Sequence, residues 1–463
     1  MERKLFMVHT YPAGDGYIAL DVDTGAVHAL DRPAYEVVRR WECSTPQEIA
    51  IALAADFGEE EAVTAMEEVR RLIEDGLLFS DLPVDPGDIK PEKGDIKALC
   101  LHIAHDCDLR CKYCFAGTGT FHGSRSMMSE EVGKKALDFL VERSGTRENL
   151  EVDFFGGEPM MNFDVVKALV AHGRELERKH GKVFHFTITT NAVTLTDDAI
   201  EFINKEMDNC VLSIDGRQQV HDFMRPDEHG EGTFARALAG AKRLVSARGD
   251  KDYYVRGTFT ASNLDFADDV LAIADEGFEQ VSVEPVVLPG ASPYALKEEH
   301  LPAIFKEYDR LLRLYLKRRK DGGWFSFFHF VVDLEGGPCL RKRLTGCGAG
   351  YEYLAVTPEG DLYPCHQFVG REGYRLGNVR DGVLDEGIRE RFAANCVVAK
   401  PECSACWAKF HCGGGCAANA QAFSGAIEKP YALECEMERK RLECALAVVA
   451  AEAGAVHFCG EME

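Results

Sequence analysis

Three cysteines lie within eight positions of the segment HIAHDCDLRCKYCFAG (102–117), directly after a predicted strand. Cys107, Cys111 and Cys114 have the spacing Cys-x3-Cys-x2-Cys. A structural zinc site uses four ligands, whereas three thiolates on one tight loop suit a 4Fe-4S cluster, in which they hold three irons. The fourth iron then stays open for chemistry. A zinc site that a distant residue completes is the alternative.

Residues with polar or absent side chains follow the next predicted strands. The two glycines of FFGGEP allow a close approach of backbone, and a glutamate can accept a hydrogen bond from an ammonium group. An arginine in VRGTFT can pair with a carboxylate through two hydrogen bonds. The alternative at each position is an ordinary turn, helix cap or salt bridge. The candidates are Gly156, Gly157, Glu158, Asn191 (in TTN), Ser213 and Asp215 (in LSIDG) and Arg256.

A second group of cysteines lies toward the end of the chain, where regular periodicity fades and glycine increases. Such a composition is typical of a domain that metal holds together. A pair of zinc knuckles is the alternative to iron-sulfur clusters. The cysteines are Cys347, which precedes Gly360 and Cys365, then Cys403, Cys406, Cys412 and Cys416 in the spacing Cys-x2-Cys-x5-Cys-x3-Cys, and finally Cys435.

The segment 97–325 must position the first group, and it alternates predicted strands with helical stretches. Apolar runs such as KALCLHIA, LEVDFFG and VFHFTITT are separated by amphipathic stretches such as SEEVGKKALDFLVERS. Six βα units in this order predict a parallel sheet with helical crossovers, in the form of a partial (β/α)6 barrel. Chemistry in barrels gathers at the carboxyl ends of the strands, where the candidate residues fall.

Residues 1–84 predict a small separate unit. FMVHTY and GYIALDV flank the turn segment PAGDG as a hairpin, TGAVHAL is a third strand, and three helical stretches follow. This order is a winged-helix-like plan. The polar, proline-containing segment DLPVDPGDIKPEKGD marks a linker, which we place at 85–96.

Composition excludes several classes of function. A net charge of -24 over 463 residues repels phosphate backbones, so neither a nucleic-acid partner nor a DNA-binding winged helix is expected. No apolar run approaches the ~20 residues of a membrane helix, and the start lacks a signal-peptide pattern, so we expect a cytoplasmic protein with no membrane partner. Disulfides are rare in that compartment, so the clustered members of the 17 cysteines are expected to bind metal.

The cysteine spacing at 107–114, with Tyr113 before the last cysteine, resembles the signature of the radical S-adenosylmethionine (SAM) superfamily. The resemblance implies that the three thiolates hold a catalytic cluster whose open iron binds the amino and carboxylate groups of SAM. One electron then cleaves SAM to methionine and a 5′-deoxyadenosyl radical, which takes a hydrogen atom from the substrate. The GGE sequence is similar to the family motif that holds the SAM amino group. The implied SAM-binding residues are Tyr113, Gly156, Gly157, Glu158, Asn191, Ser213, Asp215 and Arg256.

The later cysteines resemble the SPASM pattern, CX9–15GX4C, gap, CX2CX5CX3C, gap, C, at all seven cysteines. The resemblance implies two auxiliary 4Fe-4S clusters in a bridging region and SPASM domain at 326–450, followed by a tail at 451–463. Cys339 is then a possible fourth ligand of the first auxiliary cluster. If Cys339 does not bind it, that cluster has one open iron. The implied ligands are Cys347, Cys365 and Cys416 for the first cluster, and Cys403, Cys406, Cys412 and Cys435 for the second.

The segment GPCLRKRLTGCGAGYEYLAVTPEGDLYPCHQFVG (337–370) and the front unit together resemble the maturases of "six cysteines in forty-five residues" (SCIFF) peptides. The resemblance implies that residues 1–84 bind the leader of a cysteine-rich precursor peptide and that the enzyme forms thioether crosslinks. It implies an electron donor such as flavodoxin or ferredoxin. The alternatives are a sulfatase-maturing SPASM enzyme, which makes formylglycine, and a non-catalytic iron-sulfur electron carrier. GGEP and LSIDG argue against the carrier, which needs no SAM pocket.

Overall fold

The computed structural model describes residues 7–80, 94–334 and 340–458. Most of the predicted linker (85–96), the candidate ligand Cys339 and the end of the predicted tail (451–463) lie outside these ranges. Within them, no helix is both long enough and apolar enough to cross a membrane.

The first described segment is an antiparallel sheet of three strands followed by three helices. Its elements are β1 (Val8–Ala13), β2 (Gly16–Asp21), β3 (Val27–Leu30), α1 (Arg32–Arg40), α2 (Pro46–Phe57) and α3 (Glu59–Glu74). Proline at the first position of α2 follows Thr45, which forms a reciprocal capping box with Glu48. The order of strands and helices is that of the winged-helix-like plan.

Both faces of this N-terminal sheet are buried. On one face Ala19 packs with the three helices, around Val37 and Leu53. On the other face Ile18 and Leu20 pack into the main core of the molecule. Because side chains alternate along β2, one strand serves both cores. The N-terminal unit is therefore packed onto the rest of the chain, in addition to its covalent connection.

Six consecutive strands of the main sheet confirm the predicted partial (β/α)6 barrel. They are β4 (Ala98–Ala104), β5 (Asn149–Gly156), β6 (Val183–Thr190), β7 (Asn209–Ser213), β8 (Tyr254–Phe259) and β9 (Gln280–Pro285). They lie side by side in chain order, all parallel, and a helix follows each of them. Along β5, Val152 and Phe154 are buried under the helices, while Asp153 and Phe155 face the interior of the barrel.

Helices cover the outside of the barrel. They are α4 (Glu130–Arg143), α5 (Phe163–His180), α6 (Asp197–Glu206), α7 (Gln218–Met224), α8 (Phe234–Ser246), α9 (Phe266–Asp275) and α10 (Leu301–Lys320). Side-chain caps define where several of them begin: Ser129 accepts from Val132 N ahead of α4, and Thr196 accepts from Ala199 N ahead of α6.

The cysteine-rich region continues the same sheet. Next to β9 lies β10 (Ser326–Phe327), and β11 (Tyr353–Val356) pairs parallel with β4 on the opposite side. Antiparallel strands β12 (Asp361–Tyr363), β13 (Gly377–Asn378) and β14 (Val383–Leu384) then extend the sheet to eleven strands. The remaining helices are α11 (Leu340–Thr345), α12 (Glu386–Ala394), α13 (Pro401–Ser404), α14 (Lys409–Cys412), α15 (Ala417–Asn419) and α16 (Ala432–Glu452).

Candidate active site and cluster-binding cysteines

The cysteine loop, residues 107–114, begins at the carboxyl end of β4. A strap of residues 224–227 lies beside it and holds its backbone. Arg110 N donates to Pro226 O at 2.7 Å, and Lys112 N donates to Met224 O at 2.9 Å. The shape of the loop is therefore set by a segment at the end of α7, seven helices and strands later in the chain.

The thiols of the cysteine loop have surroundings that suit an iron-sulfur cluster. Leu109 N donates to the Sγ of Cys107 at 3.4 Å, and hydrogen bonds to cluster sulfurs are a usual means of tuning such sites. Burial raises the pKa of Cys111 to about 12, and the positive charge of Arg225 lowers it. Because iron binds the thiolate form, a cation beside Cys111 favours ligation. Three thiolates without a fourth in the loop fit a 4Fe-4S cluster with one open iron.

Gly156 and Gly157 allow β5 to approach the cysteine loop. A Cβ on Gly157 would lie 1.9 Å from the carbonyl oxygen of Asp106, and a Cβ on Gly156 would lie 2.4 Å from that of Ala104. In the space left open, Gly157 N donates to Ala104 O at 2.7 Å and Glu158 N donates to Asp106 O at 2.8 Å. The two glycines are thus needed to seat the loop, in addition to any contact with SAM.

The Glu158 carboxylate is buried and accepts three hydrogen bonds from the protein. The donors are Thr190 Oγ1 at 2.8 Å, Asn191 N at 2.8 Å and Met160 N at 3.1 Å. Burial raises the pKa of Glu158 to about 7, and the Asp108 carboxylate adds to the rise. Asp108 itself accepts from the Asn191 amide at 2.7 Å. The structure therefore brings the predicted SAM contacts Glu158 and Asn191 together beside the cysteine loop.

Asp215 is fully buried and holds both Tyr113 and Arg225. Tyr113 OH donates to its two carboxylate oxygens at 2.8 and 2.7 Å. Arg225 Nε lies 3.0 Å from Oδ2, and the Arg225 guanidinium also lies 5.4 Å from the centre of the Tyr113 ring. Thr258 N donates to Oδ1 at 3.0 Å. Asp215 is an anchor of the cysteine loop in this structure, and its contact with SAM stays a prediction.

Ser213 and Arg256 face each other across β7 and β8. The Arg256 side chain is 51% exposed, and its guanidinium lies 3.8 Å from the Glu284 carboxylate. The structure thus gives Arg256 a protein carboxylate as neighbour, and its pairing with the carboxylate of SAM stays a prediction.

A charged group around Glu284 was not predicted from the sequence. His329 Nε2 and Arg441 Nη1 lie 3.5 and 3.9 Å from its carboxylate. Arg441 Nη1 donates to His329 Nδ1 at 2.8 Å, so the hydrogen of a neutral His329 is on Nε2 and faces Glu284. Burial would raise the pKa of Glu284, but its neighbours His329, Arg256 and Arg441 lower it to about 2. Glu284 lies in β9, His329 in the turn that follows β10, and Arg441 in α16. No spacing in the sequence connects the three.

The predicted ligands of the first auxiliary cluster lie together. Burial raises the pKa of Cys416 to about 12, and neighbouring Glu434 and Cys347 add to the rise. Burial likewise raises the pKa of Cys365, with further contributions from Cys416 and Cys347. The three thiols come from three separate segments and are near enough to influence one another's pKa.

The predicted ligands of the second auxiliary cluster form another group. Burial raises the pKa of Cys435 to about 11, and the Cys403 thiol adds to the rise. Arg439 Nη1 lies 3.9 Å from Cys406 Sγ. This cation favours the thiolate form that iron requires. Across the described ranges, no three His, Cys, Asp or Glu side chains converge closely enough to hold a single metal ion.

An aromatic wall separates the cysteine loop from the first auxiliary group. The Phe115 and Phe155 rings have their centres 5.3 and 5.0 Å from that of His366. Phe115 directly follows Cys114, and His366 directly follows Cys365. Burial lowers the pKa of His366 to about 4, so its imidazole is neutral at pH 7. Uncharged rings therefore line the space between the cysteine loop and the first auxiliary group.

Two family models match the chain. A 4Fe-4S single cluster domain matches residues 94–236, and SPASM, an iron-sulfur cluster-binding domain, matches residues 347–407. With the cysteine loop at the end of the first barrel strand, these matches confirm the predicted resemblance to radical SAM proteins with a SPASM domain. SAM and 4Fe-4S clusters are the cofactors of this class, and the three cysteine groups provide for three clusters.

Curated proteins and solved structures agree with this class. The radical SAM cyclopropyl synthase TigE of Paramaledivibacter caminithermalis is 22% identical over 73% of this chain and 69% of its own. A cysteine-type anaerobic sulfatase-maturating enzyme of Clostridium novyi is 24% identical over 70% of this chain and 89% of its own. The structure of anSMEcpe with bound AdoMet has a TM-score of 0.64 at 20% identity, over 77% of this chain and 99% of its own. Streptococcus suis SuiB bound to precursor peptide SuiA has a TM-score of 0.51 at 16% identity, over 91% of this chain and 97% of its own.

Proposed function

We propose that this chain is a radical SAM maturase that installs thioether crosslinks, from cysteine sulfur to carbon, in a ribosomally made cysteine-rich precursor peptide. The observation that carries the proposal is the combination of three cysteine groups with an N-terminal sheet that has one open edge. A shared fold with SuiB, whose structure contains a precursor peptide, extends over 91% of this chain and supports a peptide substrate. The resemblance of segment 337–370 to SCIFF maturases supports the thioether chemistry.

The leader of the precursor binds along β3. Within the N-terminal sheet β2 is central, and β1 packs against the rest of the molecule, so β3 is the edge that another strand can join. Residues 27 and 28 of β3 are half-buried, and Ala29 is exposed. A peptide added to such an edge takes affinity from backbone hydrogen bonds and specificity from side-chain pockets beside the strand.

Thioether formation removes one hydrogen from a carbon and one from a thiol, so the peptide loses two electrons. When bound, the reduced catalytic cluster and SAM would supply the acceptor of one hydrogen atom, and the auxiliary clusters would supply the acceptor of the second electron. The thiol proton is released to solvent. We propose flavodoxin or ferredoxin as the reductant. The net charge of -24 speaks against a nucleic-acid partner.

The residues of this chain hold the cysteine loop in place and line the space beside it. Asp215 and Arg225 fix Tyr113 and with it the cysteine loop, and the glycine pair seats the loop against β5. The Phe115 and Phe155 rings, both in contact with His366, give an apolar lining to the space beside the cysteine loop. Because misplacement by about 1 Å can reduce a rate about 10²-fold, these supports are part of the catalytic apparatus.

A sulfatase-maturing function is the second candidate. The Clostridium novyi relative, whose name states that activity, supports it, since the likeness spans 89% of that protein. The likeness covers 70% of this chain, however, and so leaves part of it unmatched. A non-catalytic electron carrier is the third candidate, and the seating of Glu158 and Asn191 beside the cysteine loop speaks against it.

The test uses reconstituted, reduced protein with SAM and a synthetic cysteine-rich precursor peptide under argon. We expect 5′-deoxyadenosine and a peptide that is two hydrogens lighter for each crosslink but retains all its sulfur. Cys114→Ala should abolish both products. Cys210→Ala, a buried cysteine outside the three groups, is the matched control and should retain them. Loss of sulfur from the peptide would favour the sulfatase-maturing candidate, and absence of SAM cleavage in the wild type would favour the carrier.

A further inference from the structure

The first strand of the N-terminal unit lies against the segments that bear the predicted ligands of the second auxiliary cluster. One is the cluster segment, residues 403–412, which carries Cys403, Cys406 and Cys412. The other is α16, which carries Cys435. These two segments must be held together if four thiolates are to meet on one cluster.

On the side of the cluster segment, the contact is a ring stack. The His9 imidazole lies flat on the Trp407 indole, with centres 3.7 Å apart and planes at 2°. Trp407 directly follows Cys406. A second link joins Lys409 Nζ to Asp23 Oδ1 at 3.9 Å, and the Lys409 side chain is 9% exposed. The N-terminal unit therefore covers the cluster segment next to its ligands.

On the side of α16, the same histidine makes a polar contact. His9 Nε2 lies 3.0 Å from Glu443 Oε1. Tyr11 is two residues further along β1, so its side chain lies on the same face of the strand as that of His9. Its OH donates to the Glu443 carbonyl oxygen at 2.8 Å. Both side chains of the His9–Glu443 pair are mostly buried, at 19% and 25% exposure. His9 thus touches both ligand-bearing segments at once.

We propose that β1 is a clamp across the second auxiliary-cluster site, so that the N-terminal unit helps to assemble and retain that cluster as well as to bind peptide. The clamp matters most when the cluster is absent or being lost, because a bound cluster itself ties the two segments together. This inference takes its ligand assignment from the SPASM pattern and does not depend on the thioether chemistry.

The central experiment compares full-length reconstituted protein with His9→Ala. Iron is removed by a ferrous-iron chelator under argon, and hydrogen exchange is followed by mass spectrometry. We expect His9→Ala to release part of its iron several-fold faster and to raise exchange in the cluster segment. Exchange around Cys347 and Cys365 should not change, because the clamp does not touch the first auxiliary group. The matched control is His172→Ala on α5, because this imidazole is also mostly buried, at 17% exposure, and also lies against a carboxylate, 2.8 Å from Asp138 Oδ1.

Two more variants separate a clamp from general packing. His9→Gln retains a polar group for Glu443 but loses the stack on Trp407, and His9→Phe retains a ring but loses the polar contact. Each contact contributes separately by holding one of the two segments, so each variant should fall between the wild type and His9→Ala in iron release. Unchanged iron release and exchange in His9→Ala would overturn the proposal. Equal acceleration in the first and second auxiliary groups would also overturn it, because the effect would then be global.

Discussion

Asp215 shows how a buried carboxylate can hold the cysteine loop in place through its contacts with Tyr113 and Arg225. LSIDG indicated a polar residue at a strand end, but not its partners. Arg225 comes ten residues later, in HDFMRP, and only the fold returns it to Asp215 and to Cys111. A lone arginine in a helical stretch is usually a solvated surface residue, so no local signal marked Arg225.

Replacing Asp215 with asparagine tests the anchor. Asp215→Asn keeps the side-chain shape but removes the charge that pairs with the buried Arg225, which costs about 3–5 kcal/mol of stability. We expect a lower midpoint of thermal unfolding and slower SAM cleavage, measured by scanning fluorimetry and by chromatography of 5′-deoxyadenosine. Asp197→Asn is the control and should change neither, because the Asp197 side chain is 91% exposed in its ion pair with Arg243. Wild-type behaviour of Asp215→Asn would contradict the anchor role.

The group around Glu284 makes stability depend on pH. Burial lowers the pKa of His329 to about 3 in the folded protein, whereas an unfolded histidine titrates near 6.5. Between these values the unfolded chain binds a proton that the folded chain does not. The stability that His329 contributes is therefore complete above about pH 6.5 and falls as the pH decreases toward the folded value.

The expected size of this effect is measurable. On going from about pH 7.5 to 5.5, the wild type should lose about 1 kcal/mol more unfolding free energy than His329→Gln, which does not titrate. Urea unfolding of the reconstituted proteins at both pH values gives the two free energies. His180→Gln, at the exposed end of α5, should follow the wild type. Parallel losses in wild type and His329→Gln would show that His329 is not held neutral.

At the scale of elements, the sequence was informative where the signals are local. The βα alternation, the hairpin and the Thr45–Pro46 start of α2 follow from periodicity and capping, and the structure has them. The strap at 224–227 and the pairing of β11 with β4 join segments far apart in the chain. Hydrophobic periodicity describes one element at a time, so it could not predict these long-range pairings or the approach of Arg441 to Glu284.

Gly157 gives a test of how β5 seats the cysteine loop. In Gly157→Ala the added Cβ would collide with the Asp106 carbonyl, and overpacking of this kind typically costs about 1–3 kcal/mol. We expect the loop to shift, the affinity for SAM to fall and the catalytic cluster of the cysteine loop to load incompletely. Isothermal titration with SAM and iron analysis measure these effects. Gly290→Ala, where a Cβ meets nothing within 4 Å, is the control. Normal SAM affinity in Gly157→Ala would contradict the seating argument.

At the scale of the whole molecule, one sheet of eleven strands joins the barrel to the cysteine-rich region. This continuity places the first auxiliary group across the Phe115–Phe155–His366 wall from the cysteine loop. The N-terminal unit packs through β1 against the segments that bear the predicted ligands of the second auxiliary cluster. The barrel, the cysteine-rich region and the N-terminal unit are thus connected through packed structure. The boundaries at 84, 96, 325 and 450 stay predictions.

Metal analysis tests the cluster count of the whole molecule. Protein prepared without oxygen should contain about twelve iron and twelve sulfide per chain, from three four-iron clusters. Joint replacement of the three loop cysteines by alanine should lower both values by about four and abolish SAM cleavage. Cys444→Ala, a buried cysteine of α16 outside the three groups, should retain the full complement. Zinc as the dominant metal of the intact protein would contradict the account.

Counting free thiols in the processed peptide tests the central claim most directly. The precursor peptide is incubated with the reduced enzyme and SAM, fully reduced, alkylated and weighed by mass spectrometry. A thioether predicts a loss of two hydrogens and one fewer alkylated cysteine for each crosslink, with the loss surviving reduction. A disulfide would show the same initial mass loss but would return two thiols on reduction. A product in which every cysteine is alkylated after reduction would contradict thioether formation.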